Sequence, residues 1–376
     1  MRSEENCIKN YLEQTARAVR DVPRQSLHDI LIMLQTARQA GRRLFTLGNG
    51  GSGSTAGLLA SELLYAGEPP LRTTCLSESA GGLLSNAARA GYEQVFALPL
   101  RRLGQAGDVL LALSGSGNSP NALAAVQAAR GLGMHTAALA GFAGGKLNGQ
   151  ADVCLVAPSQ SMMQIEDVFA VIGSALAAAL SQPQANPDAV MDTYLNASAE
   201  MIAALPAADL QKAAVLLRQA QLERRRAFCL ADGAGIFFAT HMVNDLIKYT
   251  LRPDLPRMQA ICLADNESAM TAFANDVGSH AVFAEPLRSL AQPGDLALFY
   301  VLDGADAGLA GAAQAVGELG MRSIVLAGGQ PGEPGKTADV LAQAPAAGSH
   351  WLGLDAFAVF GHALAVGMMQ SGGSIG

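Results

Sequence analysis

The sequence predicts an α/β protein of two domains, each a parallel β-sheet covered by helices on both faces. Three observations predict it. The chain repeats itself: RRLFTLGNGGSG (42–53) aligns with RRAFCLADGAGI (225–236), VFALPLRRLGQAGD (95–108) with VFAEPLRSLAQPGD (282–295), and FAVIGSALA (169–177) with FAVFGHALA (357–365). Within each copy, short apolar runs alternate with helical stretches across Gly-rich turns, the pattern of a parallel sheet with helical crossovers. The length of 376 residues, 50% of them hydrophobic, also suits two domains, each with its own core.

Taken in order, the first copy opens with a helix, because Leu27, Ile30, Leu31 and Leu34 recur at helical spacing. Strands follow at Leu44–Leu47, Arg72–Leu76, Val109–Leu113, Thr136–Ala140 and Val153–Val156. A long apolar helix containing Val168–Leu180 closes the copy. In the second copy Leu216 and Leu217 mark the matching N-terminal helix. A boundary is expected at Pro183–Pro187, giving domains 1–183 and 184–376.

Composition excludes several classes. A net charge of −7 with no basic run longer than Arg224–Arg226 argues against a nucleic-acid footprint. The apolar stretches run about a dozen residues before Gly or Ser interrupts them, short of a bilayer span. MRSEENCIKNYLEQ reads as a polar helix rather than a leader, so a cytoplasmic protein without membrane partners is expected. Cys7, Cys75, Cys154, Cys229 and Cys262 share no CxxC spacing and read as buried free thiols.

The chemistry concentrates where strands end and helices begin, the ligand-binding edge of such sheets. GNGGSGS (48–54) and SGSGNS (114–119) both sit there. The second loop offers backbone N–H groups, the hydroxyls of Ser114, Ser116 and Ser119, and a helix start at Pro120. It has no lysine and is not a P-loop; read alone, it is equally an ordinary helix cap.

GNGGSG, LSGSGNSPN (113–121), AVQAARGLGMHTAALAG (125–141) and GGKLNGQADV (144–153) together resemble the sugar isomerase (SIS) family. They are most similar to its phosphoheptose isomerases and to the related replication-initiator-associated proteins. The resemblance covers nearly all of copy one and, more weakly, copy two. It implies flavodoxin-like α/β/α sandwiches, each preceded by N-terminal helices, and a bound sugar phosphate. It assigns the phosphate to Ser52, Ser114, Ser116, Asn118 and Ser119, and sugar contacts to Asn49 and Glu166.

In the family, the helix after GNGGS carries His and Glu four residues apart, and the last helix carries Gln and then His. These surround the reacting carbons and in some members bind zinc. Copy one has Leu58 and Glu62, then Glu166 and Ser174, at those places. Copy two has His241 and Asp245, then Leu354 and His362, with Asp355 on the same face as His362. The family's Asn-Asp pair, expected in a loop after the second strand, survives as Asn275-Asp276 in copy two. The phosphate loop of copy one is replaced in copy two by VLDGAD (301–306), whose carboxylates would repel a dianion.

The losses are complementary, and the expectation is a composite isomerase site. Copy one would hold the phosphate and supply Glu62; copy two would supply His241, Asp245 and His362 for proton transfer or zinc, with Asn275 and Asp276 ordering hydroxyls. The expected reaction converts sedoheptulose 7-phosphate to a heptose 7-phosphate. A homodimer would then reproduce a family tetramer of SIS domains. The alternative is a non-catalytic phosphosugar sensor or an initiator-associating protein. His135, His280 and His350 show no partner spacing and read as surface residues.

Overall fold

The computed structural model describes residues 2–345 and 349–370. The chain divides into two compact units: residues 15–199, and residues from 200 onward together with those up to Gln14. The expected boundary at 183–187 falls in the loop after the first copy, whereas the compact units divide later, within a helix at 199/200.

The first unit contains the latter part of α1 (Arg2–Arg20) and then α2 (Arg24–Gln39), whose buried residues include Leu27, Ile30, Leu31 and Leu34. Next come β1 (Arg43–Leu47), α3 (Gly51–Tyr65), β2 (Arg72–Cys75), α4 (Ala80–Ala90), α5 (Ala97–Leu103) and β3 (Val109–Ser114). They are followed by α6 (Pro120–Gly131), β4 (His135–Ala140), β5 (Val153–Val156) and α7 (Met162–Ser181). The sheet order is β2-β1-β3-β4-β5, all parallel. Every residue of the central β3 is buried, which is why VLLALS is an unbroken apolar run rather than an alternation.

The second unit repeats this plan. The end of α8 (Pro187–Ala203), whose residues up to Ala199 belong to the first unit, and α9 (Ala207–Leu222) lead into β6 (Arg226–Ala231), α10 (Ile236–Lys248), β7 (Gln259–Cys262) and α11 (Glu267–Asp276). Then follow α12 (Ala281–Leu290), β8 (Leu296–Val301), α13 (Ala307–Glu318), β9 (Arg322–Ala327), α14 (Gly332–Thr337), β10 (Val340–Gln343) and α15 (His350–Gln370). Its sheet order, β7-β6-β8-β9-β10, is that of the first unit.

The duplication extends to buried polar contacts. Asp108 accepts the N–H groups of Arg43 and Gln105 at 3.0 and 2.9 Å; Asp295 accepts those of Arg226 and Gln292, both at 2.9 Å. Arg38 donates to the carbonyls of Ala66 and Leu180, and Arg218 to that of Met368. Leu180 and Met368 end α7 and α15, so each guanidinium satisfies a carbonyl left over at a helix C-terminus.

Two sequence expectations need correction. The helices α7 and α15 are long and apolar enough to cross a membrane, because Gly and Ser interrupt the apolar runs without ending the helices. Their most apolar windows are 100% and 89% buried within the protein, the pattern of core helices. The five cysteines are free, but Cys7, Cys75 and Cys154 are only half-buried. Burial pushes the Cys154 and Cys262 thiols up to about 11, which keeps them protonated and unreactive at neutral pH.

Candidate functional site

In the first unit the strand order reverses direction between β1 and β3, whose ends lie side by side with Leu47 opposite Ala112. At this reversal the connections leave on opposite faces and open a crevice beyond the strand ends. GNGGS follows β1 and SGSGNS follows β3, so both singled-out loops border the crevice.

The second loop is tightly determined. Ser114 Oγ lies 3.0 Å from Ser119 Oγ across its mouth, and Ser116 Oγ accepts the Asn118 N–H at 3.2 Å. Asn118 ties the loop to its neighbour: its Oδ1 accepts the Lys146 N–H at 3.1 Å. Gly117 has φ +64° and lies so close to Gly144 that a Cβ would come within 2.0 Å of the Gly144 carbonyl oxygen. Only glycine satisfies both constraints. Ser119 precedes Pro120 at the first turn of α6. Ser116 and Asn118 are exposed, Ser119 is half-buried, and Ser114 is buried. Among the described residues, no hydrogen-bond acceptor is found for the N–H groups of Gly115 and Ser116. Two adjacent N–H groups and a row of hydroxyls at the head of a helix are the donors from which an anion cradle is built.

Around it, Asn49 pairs reciprocally with Asn121: each amide donates to the other, at 2.9 and 2.8 Å. Tyr92 also donates to Asn49 Oδ1 at 3.1 Å. Asn121 and Tyr92 were not singled out in sequence; an amide after Pro120 reads as a helix residue until its partner is known. Ser52, at the start of α3, does not stand free: its hydroxyl donates to Glu166 Oε1 on α7 at 3.1 Å. Both are buried. Glu62 lies further along α3 and is half-buried. Helices α3 and α7 pack so closely that a Cβ on Gly173 would come within 2.3 Å of Leu59.

The second unit holds the histidines. His241 and Asp245 share one face of α10, and His362 comes from α15. Asp245 Oδ2 lies 3.3 Å from His362 Nε2 and 3.7 Å from His241 Nε2. The two rings meet edge to face at 4.9 Å, and Asn244 donates to Asp245 Oδ1 at 3.1 Å. All three residues are buried, at most 6% exposed. The neighbouring Tyr300 is wholly buried, and burial pushes its phenol well above the ordinary range.

The donor set fits zinc in kind. Two imidazole nitrogens and a carboxylate oxygen are donor types that zinc takes, and the carboxylate oxygen lies 3.3 and 3.7 Å from the two nitrogens. Asn275 and Asp276 are not in a loop as expected but are the last two residues of α11, exposed and bonded to each other at 2.8 Å. The residues after the second strand continue that helix to its end, carrying the pair with it. His135, His280 and His350 are exposed, as expected.

Comparison with known proteins agrees with this layout. The family profile described as SIS domain matches residues 9–141. The phosphoheptose isomerase of Thiobacillus denitrificans is 42% identical over 134 residues, 34% of this chain and 68% of that enzyme. The phosphoheptose isomerase of Helicobacter pylori strain P12 is 37% identical over 163 residues, 43% of this chain and 83% of that enzyme. In fold, the tagatose-6-phosphate ketose/aldose isomerase of Escherichia coli superposes with a TM-score of 0.59 at 14% identity, covering 98% of this chain and 92% of its own. The C-terminal domain of the Francisella tularensis glucosamine-fructose-6-phosphate aminotransferase superposes at 0.62 and 12% identity, covering 97% and 94%. These last two likenesses are of fold, and they span both units. On its sequence, its repeated sheet and the position of its loops, the chain belongs to the SIS-domain family.

Proposed function

We propose that the chain is a cytoplasmic phosphosugar aldose–ketose isomerase whose substrate phosphate docks at residues 114–119. The observation that carries this reading is the cradle itself: hydroxyls and unclaimed N–H groups at the sheet's reversal point, in a chain related to phosphoheptose isomerases. That relationship makes sedoheptulose 7-phosphate the proposed substrate, and a homodimer the proposed assembly.

The chemistry needs one group to move a proton between neighbouring carbons. A carboxylate removes a proton from C1 of the ketose while the C2 oxygen gains one, forming a cis-enediol. Return of a proton to C2, with loss of the O1 proton, yields the aldose with no net change in protons. Glu62 is the proposed base. It lies ten residues beyond Ser52 on one helix, about 15 Å along its axis, and its side chain leans back toward the helix N-terminus. General acid–base assistance of this sort contributes about 10²–10⁴-fold. Zinc bound by His241, Asp245 and His362 would supply polarisation of a carbonyl. Those side chains themselves can hold and exchange a proton, since Asp245 faces both imidazoles.

The test is to incubate the protein with sedoheptulose 7-phosphate and follow aldose formation by NMR. Turnover that is lost in a Ser114→Ala/Ser119→Ala variant supports the isomerase. Binding without turnover favours a phosphosugar sensor, a reading prompted by the buried, apolar Leu58 at a position where the family carries histidine. The second unit is tested separately: His362→Ala should abolish turnover and leave sugar phosphate binding intact. Unchanged turnover would confine the reaction to residues 15–199.

A further inference from the structure

The second unit has the same two strand ends and the same loop, yet its two cradle N–H groups are already taken. Asp232 follows β6 as Asn49 follows β1, and Leu302 and Asp303 follow β8 as Gly115 and Ser116 follow β3. Asp232 Oδ1 accepts the Leu302 N–H at 2.8 Å, and its Oδ2 accepts the Asp303 N–H at 2.5 Å. Each carboxylate oxygen thus meets one of the adjacent N–H groups, as two oxygens of a phosphate would. Asp232 is only 7% exposed.

The rest of the loop keeps its form. Asp303 Oδ1 accepts the Ala305 N–H at 3.0 Å, repeating the bond from Asn118 N–H to Ser116 Oγ. Asp306 caps α13 by accepting the Leu309 N–H at 2.7 Å, in the place of Ser119. In the first unit Asn49 is paired with Asn121; in the second the matching residue is Gly308, which has no side chain to pair with Asp232.

We infer that Asp232 is a built-in anion that fills and closes the second unit's cradle, so that each chain takes one phosphorylated ligand and takes it at 114–119. The loop of the second unit is therefore an anion site in backbone geometry whose occupant belongs to the chain. Both N–H groups have their acceptor in Asp232 whether or not a ligand is present. Its charge, with Asp303 and Asp306 beside it, excludes a second dianion.

This inference rests on residues 114–119 being a phosphate site, and calorimetric titration with inorganic phosphate separates the two ideas. Wild type should bind one phosphate per chain, and the Ser114→Ala/Ser119→Ala variant none. Adding Asp232→Ala, Asp303→Ser and Asp306→Ser to that variant should restore one phosphate per chain. Two phosphates per wild-type chain would overturn the inference, as would no recovery in a quintuple variant whose circular dichroism matches wild type. No binding by wild type would instead overturn the reading of 114–119. If the quintuple variant does not fold, Asp232→Asn alone serves: the ¹⁵N–¹H resonances of Leu302 and Asp303 should both shift. Resonances left in place would contradict the assignment of Asp232 as their acceptor.

Discussion

At the scale of single residues, the cradle is set by which side chain reaches two N–H groups. Asn49 is held by Asn121 and leaves them open; Asp232 takes them. Glu166 has a different effect. Its carboxylate accepts from Ser52, a residue proposed to bind phosphate, and so places negative charge at the edge of the proposed phosphate site. Charges about 4 Å apart at a protein surface interact by several kcal/mol before screening, so Glu166→Gln should tighten sugar phosphate binding by about 3–10-fold, an effect of roughly 1 kcal/mol. Calorimetry checks this, and weaker binding by the variant would show that Glu166 contacts the sugar favourably. The serines and Glu62 were legible in the sequence because a family motif names them. The engagement of Ser52 was not, because its partner lies more than a hundred positions away on another helix.

At the scale of elements, the strands were nearly all readable, because a buried parallel strand is an uninterrupted apolar run bounded by glycine turns. β3 and β5 fall where the runs placed them within one residue. The lengths of α7 and α15 were not, since a glycine facing a neighbouring helix interrupts an apolar run without breaking the helix. The turn after β6 carries its own prediction. Burial raises the Asp232 carboxyl above the ordinary 3.8, against the opposing pull of the Leu302 and Asp303 N–H groups, and Asp306 raises it further. Between 3.8 and that raised value the folded protein holds a proton that the unfolded chain has lost. Its stability therefore falls as pH rises through the window, then levels once both states are ionised. Thermal melts of wild type and Asp232→Asn from about pH 3.5 to 7 should show this decline only in wild type. Parallel pH profiles for the two proteins would refute it.

At the scale of the whole molecule, duplication followed by divergence explains why one chain carries two sheets of identical order and one open cradle. The repeat was plain in the sequence. The place where the compact units divide was not, because α8 begins the second copy in sequence while most of its length belongs to the first unit. If the proposed homodimer forms, light scattering returns twice the 38.7 kDa chain mass; the single-chain mass would contradict it. The account as a whole turns on where a phosphosugar binds. A crystal structure with sedoheptulose 7-phosphate should show one ligand per chain, its phosphate within hydrogen-bonding distance of the Gly115 and Ser116 N–H groups and the Ser114 and Ser119 hydroxyls. A phosphate found at residues 302–306, or away from 114–119, would contradict it.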